Sequence, residues 1–350
     1  KDKEIIKYKN AFFASCPTGL EEILKVELEE SGAGKTQTVK GGVHFESFPE
    51  IAIKCILNSR IASRVYKKLF GFEVKVEKDI YYRGMEIKWK SVMNLEQTFK
   101  INVLQGKSPK GTKRSKFSNS MFLGQQLKDS IADGFRKDTE ERPSVDKYDP
   151  DVSLLMHVIP NDNPHSVKED VTVLIDMSGQ PLSNRGYRVK SFSAPVRENL
   201  AAGILKLTGY TGKETLVDAM CGSGTFLAEA VMMKFKIAPC FLRLQDFKDH
   251  GDELPWDFLK HNYYTKDKYL IENTEKFIEE VYANSQAALK SVTAGSIFGY
   301  DTDNGALDIA QYNLQLAGLL KGISLEQGDA TKVAKPNSDG GIFVVNPPYG

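Results

Sequence analysis

The run Leu216-Val217-Asp218-Ala219-Met220-Cys221-Gly222-Ser223-Gly224-Thr225-Phe226 admits few structural settings. Its apolar start reads as a buried strand over residues 215–219. A Gly-x-Gly turn follows the Asp218 carboxylate, and a helix spans residues 225–235. A strand, a tight turn and a helix in that order belong to a parallel sheet whose ligand lies beyond the carboxyl ends of its strands. Glycines let the backbone approach a ligand closely, and a carboxylate at the strand end can hold an ammonium or a hydroxyl. The third glycine of the dinucleotide fingerprint is missing, and Phe226 stands where a pyrophosphate would need room, so a ligand without phosphate is favoured.

The same rhythm continues through a helix over 197–207, a strand over 296–300, a helix over 304–317 and strands over 323–327 and 341–345, the pattern of a doubly wound, mostly parallel sheet. Phe298-Gly299-Tyr300-Asp301-Thr302-Asp303 puts a carboxylate, Asp301, at the end of the second strand, suited to a ribose diol. Gln327-Gly328-Asp329-Ala330 supplies a third, suited to an adenine amino group. Three carboxylates at successive strand ends read as one nucleoside pocket. Then comes Val345-Asn346-Pro347-Pro348-Tyr349-Gly350. An amino nitrogen conjugated to a base ring is a poor nucleophile, so its two hydrogens must be held and its lone pair aimed. The Asn346 amide oxygen and the Pro347 carbonyl can accept those hydrogens. Pro347 and Pro348 stiffen the turn, and Tyr349 offers a face for a base turned out of its helix. These four are the candidate catalytic residues.

The front half follows another order. A strand over 11–15, a helix opening at Leu20, a hairpin over 36–39 and 43–45, a helix over 48–70 and a strand over 72–76 give β-α-β-β-α-β, the ferredoxin-like arrangement. A second unit holds an amphipathic helix over 80–95, a strand over 99–104, a helix over 120–135 and strands over 152–159 and 171–176. Residues 179–190 read as a linker, and 236–291 as a polar excursion capped by a helix over 274–291.

Charge divides the chain where its near-zero total conceals it. Residues 1–190 carry 32 basic and 26 acidic side chains, the remainder 15 and 20. No acidic residue falls between Gln97 and Lys128, a stretch holding Lys100, Lys107, Lys110, Lys113, Arg114 and Lys116 as well as Lys128 itself. A phosphate backbone would be drawn there, so these six, Lys100 to Lys116, are the candidate RNA contacts. A solvated loop that only aids solubility is the plain alternative. The sequence has no run of about eighteen apolar residues and its start lacks the signal-peptide pattern, so neither a membrane span nor secretion is expected. Cys16, Cys55, Cys221 and Cys240 form no CxxC pair, and the five histidines lack metal-ligand spacing, so no metal site and a reducing cytoplasm are expected. Cys221 reads as packing rather than a nucleophile. Trp89 and Trp256 read as core, while Tyr263-Tyr264 hints weakly at RNA contact.

The series Asp218–Phe226, Asp301, Asp329 and Asn346–Tyr349 resembles the motifs of class I S-adenosyl-L-methionine-dependent amino-methyltransferases. Residues 12–22, from Phe12-Phe13-Ala14 through Cys16-Pro17-Thr18-Gly19-Leu20, with Gly41-Gly42-Val43-His44-Phe45, are similar to the start of the THUMP-containing rRNA guanine-N2-methyltransferases, the RlmL/YpsC family. Asn184-Arg185-Gly186-Tyr187-Arg188 and residues 194–202 resemble that family's linker and first methyltransferase helix. The resemblance implies an α/β chain with a ferredoxin-like domain over 10–77 and an RNA-gripping THUMP domain over 78–177. A linker over 178–191 and a Rossmann-like methyltransferase domain over 192–350 would follow.

It also implies S-adenosyl-L-methionine as cofactor, with Asp218, Gly222 and Gly224 at its methionine end, Asp301 at the ribose and Asp329 with Ala330 at the adenine. Ser193, Pro195, Arg197 and Glu198 would cover it from the linker side, and Cys221, Thr225, Thr302 and Asn346 would complete its shell. The expected partner is 23S rRNA or a ribosomal assembly intermediate. A tRNA guanine, and more distantly a DNA adenine or a protein glutamine, are alternatives, as is a non-catalytic RNA-binding protein. The family's sheet continues about three strands past Asn-Pro-Pro-Tyr. With no initiator Met, the sequence therefore reads as trimmed at both ends, and without the second, fused methyltransferase domain of the family's long members it resembles the short, single-methyltransferase form.

Overall fold

The structure, a computed structural model, describes every residue except 1–4, 109–112, 162, 164, 192–194, 252–253, 334–335, 337–339 and 348–350. Its front half is one eight-stranded sheet. After β1 (Ile6–Lys7), β2 (Ala11–Ser15), α1 (Glu21–Glu30), β3 (Gly34–Val39), β4 (Gly42–Glu46), α2 (Pro49–Asn58) and β5 (Arg64–Val74) form the β-α-β-β-α-β unit, with sheet order β3-β4-β2-β5. Then α3 (Asp79–Met85), β6 (Phe99–Gln105), α4 (Ser120–Thr139), β7 (Val152–Pro160) and β8 (Glu169–Asp176) extend the sheet through β5-β8-β7-β6.

The long β5 is the hinge between the two units, pairing with β2 over Arg64–Lys67 and with β8 from Tyr66 to Val74. A helix was expected over 48–70, but α2 stops at Asn58 and the chain turns extended at Ser59. The Ser59 hydroxyl accepts from the Ala62 N–H at 2.9 Å, closing the turn. Beyond it Val65, Tyr66, Phe70, Phe72 and Val74 are β-branched or aromatic and suit a pleated surface better than a helix. The helix expected over 80–95 likewise shortens to α3 and a 3-10 turn at Trp89–Ser91. Trp89 is buried there, edge-on to Phe70, and its indole N–H donates to the Gly84 carbonyl at 2.9 Å.

The rear half holds α5 (Glu198–Leu207), β9 (Leu216–Asp218), α6 (Thr225–Lys234), α7 (Phe241–His250), α8 (Asn262–Thr265) and α9 (Lys268–Lys290). It closes with β10 (Ile297–Asp301), α10 (Asn304–Leu316), β11 (Ser324–Gln327) and β12 (Ile342–Val344). The four strands are parallel in the order β11-β10-β9-β12. This is the Rossmann-like sheet that the alternation of strands and helices predicts.

Two segments that the sequence presents as loose are packed. Within residues 236–291 lie α7, α8, α9 and a 3-10 turn at Asp257–Lys260, and Trp256, Phe258, Tyr264, Leu270 and Ile278 join Phe12, Leu24, Ile53 and Val65 in one core. Their apolar residues are too widely spaced along the chain to show periodicity, yet they converge on the ferredoxin-like unit. Tyr264 is buried and Tyr263 lies under the Lys67 ammonium, 4.8 Å from the ring centre, so this pair is interior rather than an RNA surface. The linker is anchored through Arg185, 1% exposed, whose guanidinium donates to the Leu182 and Arg60 carbonyls at 2.5 and 2.6 Å and pairs with buried Glu229 at 3.4 Å. Arg60 in turn donates to the Met232 and Ile237 carbonyls at 3.0 and 2.7 Å, and Lys206 pairs with Glu27 at 2.7 Å. The front unit is thus bolted to α5 and α6.

Among the described residues, no helix is long and apolar enough to cross a membrane, and no group of three or more His, Cys, Asp or Glu could hold a metal ion.

Candidate active site

A cavity of about 490 Å³ opens at the carboxyl ends of β9, β10, β11 and β12. The predicted residues Pro195, Asp218, Cys221, Gly222, Thr225, Asp301, Thr302, Asp329, Ala330, Asn346 and Pro347 all line it. Val196, Ala219, Met220, Ser223, Phe226 and Asp303 line it too. Ala219, Met220, Ser223 and Phe226 fall inside the glycine-turn motif, so naming the motif rather than single positions would have captured them. Asp303 hid behind its duty as the α10 cap, accepting from the Gly305 and Ala306 N–H groups at 2.7 and 3.2 Å.

The turn after β9 takes its shape from backbone and carboxylate together. Gly222 adopts φ +51°, a left-handed conformation that L side chains rarely enter, with open space where a Cβ would stand. Its N–H donates to Asp301 at 2.9 Å, while the Cys221 N–H donates to the Tyr300 carbonyl at 2.9 Å, so the turn hangs on the end of β10. Asp301 also accepts from the Asp303 N–H at 3.0 Å. Gly224 does not reach the cavity. It stands against Ala310 and Leu314 of α10, where an added Cβ would meet them at 3.4 and 3.3 Å, and so serves helix packing.

Asp218 is 1% exposed; one carboxylate oxygen accepts from the Met220 N–H at 3.3 Å, and the other is buried with no partner among the described residues. Burial pushes its carboxyl up to about 7, opposed by the Met220 N–H and reinforced by Asp301. Burial, with both aspartates nearby, also pushes the Cys221 thiol well above its ordinary value, so it stays protonated and packs. Asp329 accepts from the Thr331 hydroxyl and N–H at 2.7 and 2.9 Å, which holds its carboxyl below the usual range.

The linker side is arranged by Arg188, whose guanidinium donates to the Val196 carbonyl at 2.6 Å and to the Thr225 hydroxyl at 2.9 Å. It thereby ties the 195–196 segment across the start of α6. Glu198, 6% exposed, pairs with this same Arg188 at 3.4 Å and lies behind the cavity wall, not in it. Arg197 lines a neighbouring cavity instead. Ser193, Pro348 and Tyr349 lie outside the described residues.

The cavity holds four aspartates and, among its described lining residues, no lysine or arginine. A phosphate-bearing ligand would be repelled, whereas a ligand with an ammonium, a cationic centre and hydroxyls would relieve the partnerless Asp218 oxygen.

The basic residues are gathered only in part. Lys107 and Arg114 face each other in a short antiparallel bridge, and the Lys113 and Lys116 ammonium groups donate to the Asn163 and Val167 carbonyls. These four form one patch. Lys100 stands at the opposite end of β6, where Asp146 balances it, and Lys110 lies outside the described residues.

Comparison with known proteins places three domains on the chain. Residues 11–66 match the RlmL ferredoxin-like domain, 74–162 the THUMP domain and 185–350 the RMKL-like methyltransferase domain. The ribosomal RNA large subunit methyltransferase K/L of Psychromonas ingrahamii is 35% identical over 345 residues. That match takes in 97% of this chain, which spans 41% of the relative's length. Among solved structures, a possible methylase from Clostridium difficile 630 superimposes with a TM-score of 0.75 at 28% identity, over 97% of this chain and 81% of its own. SMU.472 complexed with SAH gives 0.73 at 25%, over 99% and 81%.

Proposed function

The chain belongs to the THUMP-containing methyltransferases with an RlmL-type ferredoxin-like domain and an RMKL-like catalytic domain, and we propose that it methylates the N2 amino group of a guanine in large-subunit ribosomal RNA. The observation that carries this reading is the placement of Asn346 and Pro347 in the lining of a cavity walled by four aspartates. A site for a cationic nucleoside and a holder for an amino group share one space.

S-adenosyl-L-methionine, when bound, supplies a methyl group on a cationic sulfur. The chain's residues fit it. The partnerless Asp218 oxygen suits its ammonium, Asp301 its ribose hydroxyls, and Asp329 with Ala330 its adenine edge. Gly222 leaves room for close approach, and Phe226 fills the space a pyrophosphate would claim. At this end of the cavity the Asn346 amide oxygen and the Pro347 carbonyl accept the two hydrogens of the target amine. No strong base is required, because positioning supplies the main advantage.

The raised Asp218 carboxyl gives a signed prediction. Its folded value lies above the ordinary aspartate range, so its favourable contribution to folding is complete below about pH 4 and is lost as pH rises through about 7. Asp218→Asn should therefore raise the melting temperature of the ligand-free protein at pH 8 while weakening S-adenosyl-L-methionine about tenfold or more. Wild-type affinity should climb between pH 6 and pH 8 and the variant's should stay flat. Calorimetry at both pH values checks this, and equal pH dependence in the two proteins would remove Asp218 from the ammonium site.

The basic patch gives another. Neutralising Lys107, Lys113, Arg114 and Lys116 should flatten the slope of log affinity against log salt by about 0.7 to 0.9 per lost phosphate contact. An unchanged slope would take the patch out of the interface. The substrate itself is tested by incubating the protein with labelled S-adenosyl-L-methionine and separate unmodified rRNA and tRNA pools. Label in rRNA supports the reading, and label confined to tRNA moves the target there.

A further inference from the structure

A second cavity, of about 460 Å³, adjoins the first and shares Pro195, Val196 and Asn346 with it. Pro17 and Ser63 of the ferredoxin-like unit form one wall, facing Leu200 and Arg197 at the start of α5. Its volume falls in the ordinary range for small-ligand pockets, about 300 to 1,000 Å³. Its chemistry is the reverse of the first cavity's. No carboxylate lines it among the described residues, the proline and leucine faces are apolar, and the one charged group is the exposed Arg197 guanidinium.

The wall from the front unit is held rigidly. Ser63 N–H donates to the Ser15 carbonyl at 2.7 Å, and its hydroxyl accepts at 2.9 Å from the side-chain amide of Asn199, which also donates to the Ile61 carbonyl at 3.1 Å. One turn further along α5, Gly203 lies so close to Leu20 that a Cβ there would meet its methyl carbon at 2.3 Å. The ferredoxin-like unit and α5 therefore present a preformed slot beside Asn346.

We propose that this slot receives the target nucleotide, the base lying between Pro17 and Leu200 with its amino edge at Asn346 and Arg197 pairing with the adjoining phosphate. The inference rests on the methyltransferase reading above and adds to it a role for the ferredoxin-like unit, which supplies half of the base pocket rather than only a distant grip on RNA. An apolar slot with a guanidinium at its mouth suits a flat base carrying a phosphate, and a phosphate excluded from the four-aspartate cavity is accepted here. The two cavities divide the cofactor and the RNA between them, with Asn346 on their common border.

The test uses the complete protein with unmodified large-subunit rRNA transcript and S-adenosyl-L-methionine. Pro17→Trp fills the slot from the front unit's side. Turnover should fall about tenfold or more while the melting temperature and cofactor affinity stay close to wild type. A folded Pro17→Trp protein whose turnover stays within about twofold of wild type overturns the pocket assignment. Should that variant fail to fold, Arg197→Met decides, since the side chain is exposed and lies outside the core. Its KM for RNA should rise about fivefold or more with cofactor affinity unchanged, and an unaltered KM overturns the assignment. A wild-type protein that binds S-adenosyl-L-methionine yet methylates no RNA defeats the functional reading and the slot with it. An active wild type with unaffected variants defeats the slot alone.

Discussion

Asn346→Ala is expected to reduce methyl transfer to RNA by about a thousandfold while cofactor affinity changes little, because the proposed role of its amide oxygen is to hold the amine and the ammonium and hydroxyls of the cofactor are assigned to the aspartates that line the same cavity. The residue is asked to hold one hydrogen of a weakly nucleophilic amine, an interaction that gains strength only as the nitrogen begins to bond. Removing it should lower kcat and kcat/KM together. Single-turnover kinetics and calorimetry on the same preparation separate the two effects. A variant that retains a substantial fraction of turnover, or one that loses cofactor binding in proportion to activity, contradicts this role.

The largest effect on stability is expected at Glu229, which lines neither cavity. Its carboxylate is fully buried, accepts from the Tyr187 hydroxyl at 2.9 Å and pairs with Arg185 at 3.4 Å, and its field reaches the partly buried Arg60. Arg185 and Arg60 each donate to two backbone carbonyls, and Glu229 is the stronger of the two carboxylates, with Glu27, whose charge acts on Arg60. Glu229→Leu leaves the buried Arg185 cation uncompensated and should cost about 3–5 kcal/mol in urea unfolding. Glu229→Gln preserves an acceptor for Tyr187 and should cost less. A loss below about 1 kcal/mol for the leucine variant would show that the carbonyls alone satisfy the arginines. Because these residues join the linker, the loop after α2 and α6, the unfolding should remain one cooperative transition for the front and rear units.

Much of the site was legible because many of the residues that line its cavity follow strand ends. Position there follows from order along the chain, so Asp218, Asp301, Asp329 and Asn346 reach one cavity without any knowledge of packing. Gly224 and Glu198 were harder. Each lies next to a cavity residue in sequence, but Gly224 turns to α10 and Glu198 to Arg188, and only three-dimensional packing decides which way a neighbour faces. The fold was legible where periodicity is clean, as in the alternating hairpin β3–β4. It failed over 59–70, where apolar spacing resembles a helix but β-branched and aromatic residues form β5. The burial of 236–291 and the second cavity escaped notice for one reason: their partners, such as Trp256 with Phe12 or Pro17 with Leu200, are remote in sequence.

The most direct measurement is the identity of the methylated nucleoside. The complete protein, incubated with isotopically labelled S-adenosyl-L-methionine and unmodified large-subunit rRNA, is followed by digestion and mass spectrometry, with Asn346→Ala in parallel. The account predicts labelled N2-methylguanosine from the wild type and none above background from the variant. Label in another nucleoside, or equal label from both proteins, would contradict it.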